Sequence, residues 1–294
     1  MKRIFLSKLL IISLFLFNFC FSQKNKKEIH ESIERRTKEY EDIAKSIWNW
    51  AELGYQEEKS SALLKETLSD EGFSIKSGVA EIPTAFVAEY GSGRPIIGIL
   101  AEFDALPGIS QEVATKRKPI LDQVGGHACG HHLFGTASTA AAIAVKKYLN
   151  ESKKKGTVRL YGTPAEEGGS GKVYMVRAGL FDDVDIVLDW HASDRNAANP
   201  GTSMANRSAK FRFHGYSAHA AGAPEKGRSA LDAVESMNHM VNLMREHIPD
   251  GSRIHYVITR GGNAPNVVPL VLKLELFDLR HLPYKILLYL LLLR

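Results

Sequence analysis

Residues 126–150 read GHACGHHLFGTASTAAAIAVKKYLN, a cluster of imidazoles and a thiol running straight into a stretch of small residues. From about Gly135 to Leu149 the pattern predicts a helix, and its alanines let it lie close against a sheet. Short apolar runs stand on both sides of it. Ala85–Tyr90 and Ile96–Ala101 precede it, Val158–Gly162 and Asp185–Trp190 follow, and each reads as a strand. Strands alternating with helices imply an α/β sandwich built on a largely parallel sheet. Further upstream, residues 24–70 read as helix, with Ile43, Ile47 and Trp50 on one face and Leu63, Leu64 and Leu68 on another.

A second unit is expected from about Ser203. Lys210–Gly215 reads as a strand, Ser229–His247 as an amphipathic helix and Arg253–Thr259 as another strand, half of a small α/β domain. Gly261, Gly262 and Pro265 mark a turn. After Pro269 the character changes. Residues 270–294 form an apolar tail with eight consecutive apolar residues before Arg294, too short to span a bilayer. A buried strand is one reading of it, and an abnormal end such as a frameshift is the favoured one.

The first 22 residues hold Lys2, Arg3 and Lys8, an apolar stretch from Leu9 to Phe17, and no acid. That pattern reads as an export signal cleaved before Gln23, which places the protein in the periplasm or outside the cell. A retained anchor and lipid attachment at Cys20 are the alternatives. Without that segment the 294-residue chain has 35 basic against 33 acidic residues, so no broad basic surface points to nucleic acid. Cleavage also leaves Cys129 as the sole cysteine, which excludes an internal disulfide.

The chemistry concentrates in a few blocks. In Gly126-His127-Ala128-Cys129-Gly130-His131-His132, thiolate and imidazole are both good ligands for zinc-like ions, although a packed turn at a helix start would carry the same residues. Thirty-five residues beyond His131, Glu166-Glu167 follows an apolar strand. Adjacent side chains point in different directions, so one carboxylate can bind metal while the other handles a proton; an exposed acidic turn is the plain alternative. His191 and Asp104 each follow a strand, where a structural histidine or carboxylate is common. Taken together, these groups all fall where strands end or helices begin, the edge at which ligands gather in open α/β sheets.

Rival chemistries fail on single residues. Gly169-Ser170-Gly171-Lys172 lacks the leading glycine of a phosphate loop, since position 166 is Glu, and Val173 stands where Ser or Thr is needed. Ser170 is not in a nucleophile elbow, because Lys172 occupies the glycine position. No His-Glu-x-x-His helix is present.

The blocks WNWAELGYQEEKSS, IPTAFVAEYGSG, AEFDALPGISQ, GGHACGHHLFGTAS, GTPAEEGGSGKVYMVRAGLFDD and GYSAHAAGAPEKGRSALDA together resemble the metal-dependent aminoacylase and carboxypeptidase superfamily, in its cysteine-containing amidohydrolase branch. The resemblance spans about residues 40–269. It implies a three-layer catalytic domain over residues 23–203, interrupted by a smaller α/β lid and dimerisation domain over residues 204–269. By position it makes Cys129, His131, Glu167 and His191 ligands of two divalent ions, manganese or zinc, and Glu166 the general base. Asp104 becomes a carboxylate orienting a ligand, His219 a lid histidine that stabilises an oxyanion, and Asn266 a lid residue that contacts substrate. The implied reaction is hydrolysis of an amide to an amino acid, on a substrate of the p-aminobenzoyl-glutamate kind or another N-acyl amino acid. The implied assembly is a homodimer, or a heterodimer of related subunits, formed through the lid. His127 and His132 receive no role beyond packing or hydrogen bonding.

The resemblance also implies a final histidine ligand after the lid. His281, in Leu-Arg-His-Leu-Pro, is the only histidine after His255 and its setting does not match. Both domains are therefore expected to be incomplete and one metal site to lack a ligand. The reading of a different class is an inactive fragment that keeps metal binding or dimerisation.

Overall fold

A computed structural model describes residues 26–195, 197–198 and 205–280. The expected export signal and the last 14 residues of the tail lie outside the described residues. The chain divides into two compact units, Met1–Asn196 and Ala197–Arg294. Among the described residues, no helix is long and apolar enough to cross a membrane.

In the first unit, α1 (Thr37–Trp50) buries Tyr40, Ile43, Ala44 and Ile47, the one-sided spacing of an amphipathic helix. The continuous helix expected over residues 24–70 is broken here. Ala51 takes a left-handed conformation (φ 42°) and its N–H closes on Ile47 O; Tyr55 is left-handed too (φ 67°). A side chain at Gly54 would stand 3.0 Å from Ala165, so the break lets two distant segments meet. The chain becomes helical again at α2 (Glu58–Asp70), which buries Ser60, Ser61, Leu64 and Leu68.

Five strands follow: β1 (Ser74–Ser77), β2 (Phe86–Ser92), β3 (Ile96–Ala101), β4 (Gly156–Gly162) and β5 (Ile186–Leu188), in the order β1-β2-β4-β3-β5. Strands β4, β3 and β5 run parallel, while β2 pairs antiparallel with both β1 and β4. Between β3 and β4 the chain crosses through α3 (His131–Ser152), longer than the Gly135–Leu149 expected because the histidine pair is already helical. On this face Phe86, Ala88, Ile99, Val158 and Leu160 pack with Leu64, Leu68, Phe103, Ala140 and Ile143. On the other face Tyr161 meets Val79, Ile82, Ala85 and Met175, the last from α4 (Gly171–Arg177). Leu160 and Tyr161 thus bury on opposite sides, as neighbours on a strand must when both faces are covered. The result is the three-layer α/β arrangement expected from the alternation.

The second unit holds β6 (Ala205–His214), α5 (Ala230–Met244), β7 (Arg253–Arg260) and β8 (Val271–Arg280). Ser229 Oγ accepts the Asp232 N–H and caps α5. Ala230 and Val234 bury against Phe213, Leu231, Met237 and Tyr256 in a small core. The sheet order is β6-β8-β7, antiparallel throughout. Val271–Arg280, the beginning of the tail, is therefore the middle strand of this sheet; the eight-residue apolar run, for which a buried strand was the lesser reading, lies outside the described residues.

Candidate metal centre

The carboxyl ends of β3, β4 and β5 point the same way because these three strands are parallel. Each releases chemical side chains at that edge. Beyond β3 come Glu102 and Asp104, both buried; beyond β4 come Glu166 and Glu167; beyond β5 comes His191. The start of α3 completes the set. Gly130, left-handed at φ 87°, turns the chain so that Cys129 precedes the helix and His131 opens it.

His131 is the hub. Its side chain is 1% exposed, and its Nδ1 lies 2.9 Å from Asp104 Oδ1. A carboxylate there accepts the Nδ1 proton and leaves an Nε2 lone pair aimed into the site. Around Nε2 stand Glu102 Oε2 at 3.2 Å, Glu166 Oε2 at 3.8 Å and Glu167 Oε1 at 3.9 Å. Cys129 Sγ lies 3.2 Å from His191 Nε2, while His191 Nδ1 donates to Ala192 O at 3.0 Å. That second bond fixes the tautomer and again leaves an Nε2 lone pair facing inward. Phe134 packs edge-on against the rings of His191 and Trp190, a wall on the His191 side.

Two donor groups result, each with its ligand atoms within 4.8 Å of one another: Cys129, His131 and His191, and Glu102, His131 and Glu166. They share His131. Glu167 stands beside both, its Oε1 3.9 Å from His131 Nε2 and its backbone N–H donated to Asp104 Oδ2 at 2.9 Å. The electrostatics have one sign. Burial, then the charges of Glu167, Glu166 and Glu102, push the Cys129 thiol up to about 11. Burial also raises the Glu167 carboxyl, with Glu166 and Asp104 adding to it. Burial opposes charge on His131, but Asp104, then Glu102 and Glu167, outweigh it and raise its pKa. A group of acids, a thiol and two imidazoles gathered this closely is a place for a cation, which would reverse the penalty on the thiolate. The buried Nε2 of His131 and Oε2 of Glu102 have no hydrogen-bond partner among the described residues, as donors awaiting an ion would. The residues fit divalent metal.

Support behind the site was not legible in sequence. Glu57, fully buried, accepts the Ala165 N–H at 2.8 Å and the Thr84 hydroxyl at 3.0 Å. It pins Ala165 in a left-handed conformation (φ 56°) immediately before Glu166. Glu102 and its partner Lys172 were also missed. Glu102 sits two residues before Asp104 at a strand end, the one signal that could have found it. His127 donates to Ile47 O and packs with His132 and Trp48, and burial holds both histidines down at about 4. Both rings are engaged in packing, and His127 also in a hydrogen bond.

His219 and Asn266 belong to the second unit and are exposed. The backbone brings them together: His219 bridges Val267, and the Ala220 N–H donates to Asn266 O at 3.1 Å. His219 Nδ1 accepts the N–H groups of Ala221 and Gly222 at 3.2 and 3.0 Å, so its proton sits on the outward Nε2.

Residues 98–269 match the family model of peptidase family M20/M25/M40, more than half of the chain. The chain belongs to that family. Within the M20 family it is 44% identical over 263 residues to one of the two p-aminobenzoyl-glutamate hydrolase subunits of Escherichia coli, covering 86% of this chain and 55% of that one. It is 31% identical over 255 residues to the Xaa-Arg dipeptidase of Homo sapiens, covering 81% of this chain and 55% of the relative. The chain thus spans about half the length of these curated M20 relatives. In fold it is similar to the Bacillus subtilis YXEP protein, described as a dinuclear metal-binding peptidase of the M20 family. The TM-score is 0.54 at 21% identity, with 85% of this chain and 65% of that one covered.

Proposed function

We propose that the protein hydrolyses the amide bond between an aryl acyl group and an amino acid, with p-aminobenzoyl-glutamate as the nearest substrate type. The observation that carries the reading is the pair of donor groups sharing His131 at the carboxyl ends of parallel strands. The 44% identity to a p-aminobenzoyl-glutamate hydrolase subunit supports the substrate class.

In this reading Cys129, His131, Glu167 and His191 hold two divalent ions, manganese or zinc, a choice consistent with thiolate, imidazole and carboxylate donors. When bound, the ions supply an acidified water and polarise the amide carbonyl. Glu166, the more exposed of the carboxylate pair at 42%, is free to move a proton. Its Oε2 takes the proton from the attacking water and delivers it to the amide nitrogen as the C–N bond breaks, giving a carboxylate and an amine. Asp104 holds the His131 ring in the tautomer that presents Nε2. His219, with its proton on Nε2, is a donor suited to the developing oxyanion, and Asn266 beside it to the substrate. The second unit serves as lid and dimerisation domain, with a copy of the chain or a related subunit as partner. Residues 1–22 direct export.

The test is turnover of p-aminobenzoyl-glutamate and a panel of N-acyl amino acids by metal-loaded protein and by Glu166→Gln. Loss of turnover with metal content retained is the expected result, and turnover retained in the variant overturns the assigned base. Preference for another N-acyl amino acid would move the substrate within the same chemistry. Metal binding without any turnover would make the chain a metal-binding remnant.

A further inference from the structure

We infer that Glu102 is itself a metal ligand of this centre, made monodentate by Lys172; the inference rests on the metal-site reading proposed above. Glu102 follows β3 directly and is 5% exposed, in a place where an unpaired carboxylate would be strongly disfavoured. Its two oxygens meet different surroundings. Oε1 accepts from Lys172 Nζ, in the first turn of α4, whereas Oε2 has no hydrogen-bond partner. Oε2 faces His131 Nε2, another buried atom without a partner, across 3.2 Å.

The arrangement around His131 gives this pair its meaning. Asp104 engages Nδ1, so Nε2 is the ring nitrogen left on the Glu102 side. Nε2 and Glu102 Oε2 at that separation call for positive charge between them, a proton on the ring or a metal ion. Ligand atoms about 2.0–2.2 Å from one ion, at tetrahedral to octahedral angles, stand about 2.8–3.6 Å apart. The observed 3.2 Å falls in that range. Glu166 Oε2 stands 3.8 Å from the same Nε2, placed to work beside an ion held there. Lys172 occupies Oε1 with its ammonium group, which leaves Oε2 alone to bind and offsets part of the charge of four converging carboxylates. A carboxylate buried only as a strut for Lys172 would not need its second oxygen unpartnered and aimed at a histidine nitrogen.

The experiment measures zinc and manganese stoichiometry and affinity by chelator competition, together with the visible spectrum of the cobalt-substituted protein. Wild type is compared with Glu102→Gln, Lys172→Met and, as a marker of the site, Cys129→Ser. Glu102→Gln, which is isosteric, should lose one metal equivalent or weaken binding by about 10–100-fold and shift the cobalt bands. Lys172→Met should keep the stoichiometry. Unchanged metal number, affinity and cobalt bands in Glu102→Gln, with Cys129→Ser weakened, would overturn the inference and leave the metal site standing. Wild type that binds no metal would overturn both. If circular dichroism shows Glu102→Gln unfolded, Glu102→Asp decides, because a shortened ligand must shift the cobalt bands and a strut would not.

Discussion

Asp104 Oδ1 lies 2.9 Å from His131 Nδ1, and the same carboxylate accepts the Glu167 N–H at 2.9 Å through its other oxygen. One buried side chain after β3 therefore sets both the first residue of α3 and the loop after β4. Burial disfavours its charge, yet the bonds from His131 and Glu167 hold its pKa below the ordinary carboxylate value. Asp104→Asn can present an N–H to Nδ1 and so favour the wrong tautomer. Metal affinity should fall by about 10–100-fold, the usual effect of losing the partner behind a ligating imidazole. Chelator competition on the folded variant checks this, and unchanged affinity would remove Asp104 from the site.

Glu57 acts on Glu166, the proposed general base, at one remove. Its Oε1 holds the Ala165 N–H at 2.8 Å, so Glu57→Ala leaves that buried donor unpaired and frees the left-handed turn before Glu166. The variant should lose about 1–3 kcal/mol of stability. It should also lower kcat more than it raises KM, with metal content near wild type. A KM effect alone would mean that Glu166 is not positioned from Glu57.

Gly135 marks the closest approach of α3 to the strand end. A Cβ there would stand 2.8 Å from Glu102 O and 3.1 Å from Leu64 Cδ1. Gly135→Ala should therefore destabilise by about 1–3 kcal/mol despite the better helix propensity of alanine. Thermal denaturation measures the sign directly, and a stabilised variant would show that the helix can move away freely.

Glu71 ties three helices together, bonded to Lys146 Nζ of α3 at 2.9 Å and to Arg36 Nη1, just before α1, at 2.6 Å. Burial alone would raise its pKa, but Lys146 and Arg36 outweigh it and lower the value below 4.5. A depressed carboxylate stabilises the fold above the unfolded value and ceases to do so as pH falls through the folded one. Glu71→Gln should cost about 1 kcal/mol at pH 7, discounted for its partial exposure. The gap from wild type should close below pH 4.5. Urea denaturation at several pH values tests this, and a constant gap would assign the loss to packing instead of charge.

Much of this molecule could be read from the order of its residues. Apolar runs and the alanine-rich segment announce β2, β3, β4 and α3, because burial on both faces of a sheet demands consecutive apolar residues and close helix packing demands small ones. Cys129, His131, Glu166, Glu167 and His191 stood out because thiol, imidazole and carboxylate after strand ends are unusual, and the structure brings them to one edge. The helix reading over residues 24–70 holds for most of that stretch but not for residues 51–57, where the chain leaves the helix. Its break depends on Gly54 meeting Ala165, more than 100 residues away, which no local periodicity records.

The sequence by itself determined most of the elements, the family and the residues with metal-binding chemistry, since those follow from local pattern and residue type. Only the tertiary structure decided what supports them. That Asp104 orients His131, that Glu57 pins the turn before Glu166, and that Glu102 faces His131 while held by Lys172 all join separate segments. The physical reason is that a buried charge has no preferred partner until the fold removes water and leaves one within reach.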